Sequence, residues 1–210
     1  MVVKQIRAAR TREALIGAAA EVFADDGYVL ASLPAISRRA GVSTGALHFH
    51  FASKDALAAE VESTAAERVA RLAERRRAAT DSSLQCLVDT GSGLLRALAD
   101  DPVVRAGFRL GQDPSRKNGS DLLRWWHGLV RELVVEAQRA GELERSVSAD
   151  AATTVVVASM VGFGALGFAD RAWLSDGRVE PFWALLMPRL AASPHRVPVP
   201  SAAPGRAKGA

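Results

Sequence analysis

The sequence predicts an all-α chain: a three-helix N-terminal head carrying a helix-turn-helix, followed by a larger helical domain. Three observations predict it. Apolar residues recur at helical spacing through most of the 210 residues, and no strand alternation persists. Breaks fall at helix-stop signals, such as Asp100-Asp101-Pro102 and Gly141. Residues 32–54 read as two short helices around a glycine turn.

The first helix runs over Thr11–Tyr28, with Leu15, Ala19, Val22 and Phe23 as its inner stripe. Ser32 caps the second, which places Pro34 in its first turn, where a missing N–H costs nothing. Ala35, Ile36 and Ala40 form its apolar side. Gly41 takes the reversal, where a residue without Cβ is least strained. Ser43 or Thr44 caps the third helix, and Leu47 and Phe51 face inward. Its outer face is then Thr44, Gly45, Ala46, His48 and His50. A small, polar face suits a helix that enters a DNA major groove.

A long helix follows Lys54 to about Ala78, with Leu57, Val61, Ala65, Val69 and Leu72 on its apolar side. Further helices are expected over 84–99, 103–110, 121–140, 148–168 and 180–192. Asp113–Ser120 reads as a polar loop, and Ser175-Asp-Gly177 as a chain break. Residues 193–210 hold four prolines and no acid, the composition of a disordered tail. The domains expected are 1–54, 55–192 and that tail.

The bulk properties point the same way. Net charge is +4, and residues 1–54 carry seven Lys and Arg against four acids. Four of the seven lie in the first twelve residues, an arm suited to phosphate. The single Cys86 excludes an internal disulfide and fits a reducing cytoplasm. No secretory leader is visible at the N-terminus. Ala151–Ala169 is free of charge, yet its three glycines and its hydroxyls favour a buried helix over a membrane span. An enzyme is disfavoured. No histidine has a Glu three residues before it, so a di-iron bundle lacks its ligand pairs. There is no phosphate loop or nucleophile elbow, and no cofactor or metal is expected.

Residues 41–57, Gly-Val-Ser-Thr-Gly-Ala-Leu-His-Phe-His-Phe-Ala-Ser-Lys-Asp-Ala-Leu, resemble the DNA-binding domain of TetR-type transcriptional repressors, and Thr11–Tyr28 resembles that family's first helix. The resemblance implies a homodimer on a palindromic double-stranded operator, contacted through Arg7, Ser32, Ser43, Thr44, Gly45, Ala46, His48, His50 and Lys54. Thr44 and His48 depart from the family's usual Lys or Arg and Tyr, so phosphate contact shifts towards His50, Lys54 and the arm. The resemblance also implies dimerisation through the last two long helices. Both are very apolar here, and Val156, Met160, Phe182, Trp183, Leu186 and Leu190 are the candidate contacts.

The second half resembles the γ-butyrolactone autoregulator receptors within that family. The likeness lies in Asp101–Leu110, in Trp126 with Val135–Leu143, and in Ser159–Gly162. It implies a small-molecule effector bound against Trp126, with Ala65, Phe108, Leu110, Leu122, Val130 and Phe163 around it; Trp125, about a third of a turn away, is the competitor for that role. Ala65 and Phe163 stand where some receptors carry a Gln and a Thr that bond the lactone. Space at Ala65 and the added ring of Phe163 would favour a larger, flatter apolar ligand. A pseudo-receptor answering to an antibiotic or biosynthetic intermediate is the alternative. No membrane partner is expected.

Overall fold

A computed structural model describes residues 2–116, 121–193 and 198–201. Among them are nine α-helices and no strand: α1 (Val2–Leu30), α2 (Leu33–Arg39), α3 (Thr44–His50), α4 (Lys54–Arg77), α5 (Ser83–Asp100), α6 (Pro102–Gly111), α7 (Asp121–Arg139), α8 (Ala149–Ala169) and α9 (Asp176–Leu190). The expected capping chemistry recurs along the chain. Ser32, Ser43 and Ser148 accept from the amides of Ala35, Ala46 and Ala151, and Asp101 accepts from Val103 at 2.9 Å. Each satisfies a donor that the first helical turn leaves open.

Several boundaries differ from expectation, most of all those of α1 and α9. Helix α1 begins at Val2, nine residues before Thr11, so the basic stretch expected as an arm is helical, and it extends past Tyr28 to Leu30, with a break at Gly27 (φ 78°), a left-handed backbone that favours glycine. Helix α9 begins at Asp176 rather than Glu180. Ser175 is its N-cap residue, and its backbone carbonyl accepts from the amides of Arg178 and Val179, so the expected break is the helix's first turn. Asp176 suits that turn, because a carboxylate opposes the positive end of the helix dipole. It also pairs with Arg96 at 3.0 Å.

The chain gathers into two compact units that cut across the expected 1–54 and 55–192 division. One comprises residues 1–71 with 97–128, the other 72–96 with 129–210. In the first, Leu15, Ala19, Val22 and Phe23 are buried as expected, with Ile36, Leu47, Phe51, Leu57 and Val61. Helix α6 lies along α1. Arg109 of α6 donates to the carbonyls of Ala24 (2.6 Å) and Asp25 (3.0 Å), near the C-terminal end of α1. Arg68 of α4 pairs with Asp101 at 2.7 Å, which ties α4 to the start of α6. Helices α4 and α6 meet at Ala65 and Gly107, so closely that a Cβ on Gly107 would collide with that of Ala65.

In the second unit, Leu84, Leu87, Val88 and Leu95 of α5 are buried, as are Val156 and Met160 of α8 and Trp183 and Met187 of α9. A Cβ on Gly91 would stand 2.7 Å from the Trp183 ring, so that glycine leaves the slot the indole fills. Glu142 caps α5, accepting from the Ser83 amide (3.1 Å), the Leu84 amide (3.0 Å) and the Ser82 hydroxyl (2.8 Å). Residues 198–201 of the expected disordered tail are bonded to α5. Gln85 donates to the Val199 carbonyl at 2.7 Å, and the Ser201 amide and hydroxyl donate to Asp89 at 2.7 and 2.9 Å. A largely buried carboxylate gains two donors, which is reason enough for the chain to settle there. Residues 194–197 and 202–210 lie outside the described residues.

Candidate nucleic-acid interface and effector site

Helix α3 presents the face the sequence predicts. Leu47 is buried, Thr44, Gly45 and His48 are exposed, and Ala46 and His50 are half-buried. The Thr44 hydroxyl lies 3.3 Å from that of Ser37, which fixes the start of α3 against α2. Ser32 and Ser43 use their oxygens as acceptors for capping, so each hydroxyl proton stays free to donate outward. Arg7 is exposed on α1.

The structure gives Lys54 a different place from the one expected. Its ammonium turns inward and donates to the carbonyls of Tyr28 (2.8 Å), Ala31 (3.0 Å) and Val29 (3.4 Å), with the Tyr28 ring 4.3 Å away. A cation at the C-terminal end of a helix meets open carbonyls and the negative end of the dipole. Lys54 therefore binds the start of α4 to the end of α1. Charge-assisted bonds of this kind contribute about 1.5–3 kcal/mol. Lys54→Met is expected to lower thermal stability by about that amount. Measured by salt titration, it should leave the slope of DNA affinity unchanged. A slope flattened by about one ion would give the ammonium back its phosphate role.

Phe49 is the residue that sequence reasoning missed. It is 82% exposed at the end of α3 and meets His50 edge-on at 5.2 Å. The signal was present, since Phe49 falls between the inward Leu47 and Phe51 and cannot share their face. A large ring beside His48 leaves an exposed apolar surface at the end of α3.

The residues expected around an effector divide between the two units. Trp126, Phe108, Leu110 and Leu122 are buried in the first, Val130 in the second, and Phe163 of the second is half-buried. Trp126 is 2% exposed, and its indole N–H has no hydrogen-bond partner among the described residues. Phe163 belongs to an aromatic cluster, edge-on to Phe182 (5.3 Å) and Trp173 (6.1 Å). Ala65 corrects the expectation directly. It is fully buried at the α4–α6 crossing over Gly107, so it leaves no space for a ligand.

The expectation for the dimer contacts is corrected in part. Val156, Met160, Trp183 and Leu190 are buried within their own unit, and Phe182 and Leu186 are half-buried. The apolar residues left outside are others: Val155 and Leu166 on α8, and Leu185 on α9, which is 77% exposed. On α8 the exposed positions 150, 151, 154, 155, 158, 165, 166 and 169 follow one helical stripe. Helix α8 has the length and composition to cross a membrane, with a third of its apolar stretch buried.

Residues 15–61 match the family described as bacterial regulatory proteins, tetR family. The chain is 34% identical over 190 residues to the A-factor receptor protein of Streptomyces griseus, covering 90% of this chain and 66% of that one. The CprB protein of Streptomyces coelicolor, a TetR-family protein solved in complex with its biological operator sequence, superposes with a TM-score of 0.75. It is 30% identical, over 88% of this chain and 90% of that one. The chain belongs to the TetR family. Another relative within it, a gamma-butyrolactone receptor described as ArpA-like, gives a TM-score of 0.74 at 29% identity over 89% and 90% of the two chains. For this TetR-family chain the likeness therefore runs well beyond the head, into the helices that carry Trp126 and the α8 stripe.

Proposed function

We propose that this chain is a DNA-binding transcriptional repressor of the TetR type, cytoplasmic and homodimeric, which a small apolar molecule releases from a palindromic operator. The observation that carries the reading is the α3 face: small, polar and exposed around Thr44, Gly45 and His48, on a helix fixed by caps at its start and by Lys54 just beyond its end. Arg7, Ser32, Ser43, Ala46 and His50 flank that face and would meet the backbone or base edges. Two such helices one DNA turn apart, about 34 Å, suit a palindrome of about 20 base pairs. The test is selection of duplexes from a random library. Recovery of no palindrome would sink the reading.

The exposed stripe of α8 with Leu185 of α9 supports a second copy as the partner. Leu185→Glu together with Val155→Asp is expected to convert the dimer to a monomer in light scattering. Operator affinity should then fall by more than about tenfold, as expected from losing an apolar anchor of about 2 kcal/mol. A double variant that stays dimeric and binds as before would place the interface elsewhere.

The unpartnered indole N–H of Trp126 supports an effector that carries a hydrogen-bond acceptor on an otherwise apolar body. The pseudo-receptor reading is favoured over a lactone receptor by one observation. Ala65 is sealed and Phe163 is aromatic, so neither supplies the donor that some lactone receptors use.

A further inference from the structure

The segment after α6 reads in the sequence as a solvated polar loop, yet it delivers a buried charge. The Arg116 side chain is 4% exposed, and its Nη1 lies 2.6 Å from Oε2 of Glu62 on α4, whose side chain is nearly as buried. The guanidinium also lies over the ring of Tyr28, 5.3 Å from its centre, and 4.0 Å from Asp55. Tyr28 donates its hydroxyl to Asp55 at 2.8 Å and stacks on Phe23 at 6.1 Å. Burial, followed by that Asp55 bond, holds the phenol above its ordinary pKa, so it remains a donor. The turn that aims Arg116 is itself tied: the Ser115 amide and hydroxyl donate to Asp113.

These contacts converge on one joint. Tyr28 lies in the last turn of α1, while Lys54 and Asp55 open α4, with three residues between α3 and α4. Neither Tyr28 nor Arg116 lies on the α3 face. We propose that Arg116 is a positioning residue for DNA binding: it clamps the α1–α4 joint through Tyr28 and Glu62, and so sets the presentation of α3. Burying a guanidinium is costly unless it is paired, so the clamp is made in one geometry or released. An Arg suits the task because its plane can stack on a ring while its edge meets a carboxylate. The proposal rests on the operator-binding reading above.

The test uses a duplex that the wild-type protein selects from a random library, with 3-fluorotyrosine incorporated at Tyr28, the chain's sole tyrosine. Arg116→Ala is expected to weaken binding roughly two- to thirtyfold, the range for residues that act through others. The slope of log affinity against log salt should not change, because no phosphate contact is lost. The fluorine resonance should move, and Arg116→Lys should recover part of the affinity. Should Arg116→Ala fail to fold, Arg116→Gln with Glu62→Gln replaces it, since that pair buries no unmatched charge. Unchanged affinity in a folded variant overturns the clamp and leaves the operator reading intact. A slope reduced by about one ion overturns it too, by making Arg116 a phosphate contact. A wild type that selects no duplex overturns both.

Discussion

Ala65→Gln is expected to destabilise the protein rather than to restore a polar contact for a lactone. In the sequence, Ala65 looks like a vacancy, because some relatives fill that position with a hydrogen-bonding Gln. In the structure, the position is the point where α4 and α6 touch, with Gly107 supplying bare backbone opposite. The glutamine must either part the helices or leave its rotamer wells. Overpacking of this kind costs about 1–3 kcal/mol. The buried amide adds about 1–3 kcal/mol more if it finds no partner. Gly107→Ala should act in the same direction from the other side, because its new Cβ has no soft neighbour to displace. Urea unfolding measures both. The effect should extend to DNA, since α4 begins at the joint that holds α3. An Ala65→Gln variant as stable as the wild type, and newly responsive to a butyrolactone, would show that the crossing opens and that a pocket lies beside it.

What was legible in the sequence was local. Ser32, Pro34, Gly41 and Ser43 specify two helices and a turn within twelve residues, and their bonds fall where the residue types require. The inner stripe of α1 was equally plain, because polar residues mark its other side. Helix α8 lacked that contrast. With apolar residues all round, its periodicity says nothing of which side faces its own unit, so Val156 and Met160 look like outward contacts in the sequence but lie inside. Trp183 is the same failure at longer range. Its slot exists because Gly91, on another helix, has no side chain, and no spacing rule links two such distant positions. Ser175-Asp-Gly177 was ambiguous in another way, since the residues that end a helix also begin one. Arg116 was hidden by its neighbours: within Asp-Pro-Ser-Arg-Lys-Asn-Gly it reads as one more solvated charge, and only the carboxylate of Glu62 and the ring of Tyr28 reveal it as buried.

Trp126→Phe is expected to separate the effector role of Trp126 from its packing. The indole is almost wholly enclosed, and its N–H is unsatisfied among the described residues. A buried donor without a partner costs about 1–3 kcal/mol, so an effector acceptor that reached the indole N–H would bind more tightly by about that amount. Phenylalanine keeps most of the ring and removes the donor. Its thermal stability should therefore match or exceed that of the wild type. Operator binding should be unaltered, because Trp126 is neither on the α3 face nor among the residues of the α1–α4 joint, and the substitution keeps the fold. Release from DNA by an acceptor-bearing apolar compound should be lost or weakened by roughly 5- to 150-fold, a usual range for coupling between sites. Trp126→Ala sharpens the reading. A packed core aromatic costs about 3–5 kcal/mol on truncation, and removal of the orphaned N–H should reduce that loss. Trp125→Ala, which alters the half-buried neighbour, should leave the response intact. The measurement is an operator shift assay across a panel of acyl butyrolactones and aromatic biosynthetic intermediates, run beside thermal melts. If Trp126→Ala loses the full core penalty while Trp126→Phe responds to every compound that releases the wild type, the indole is packing alone and the effector binds elsewhere.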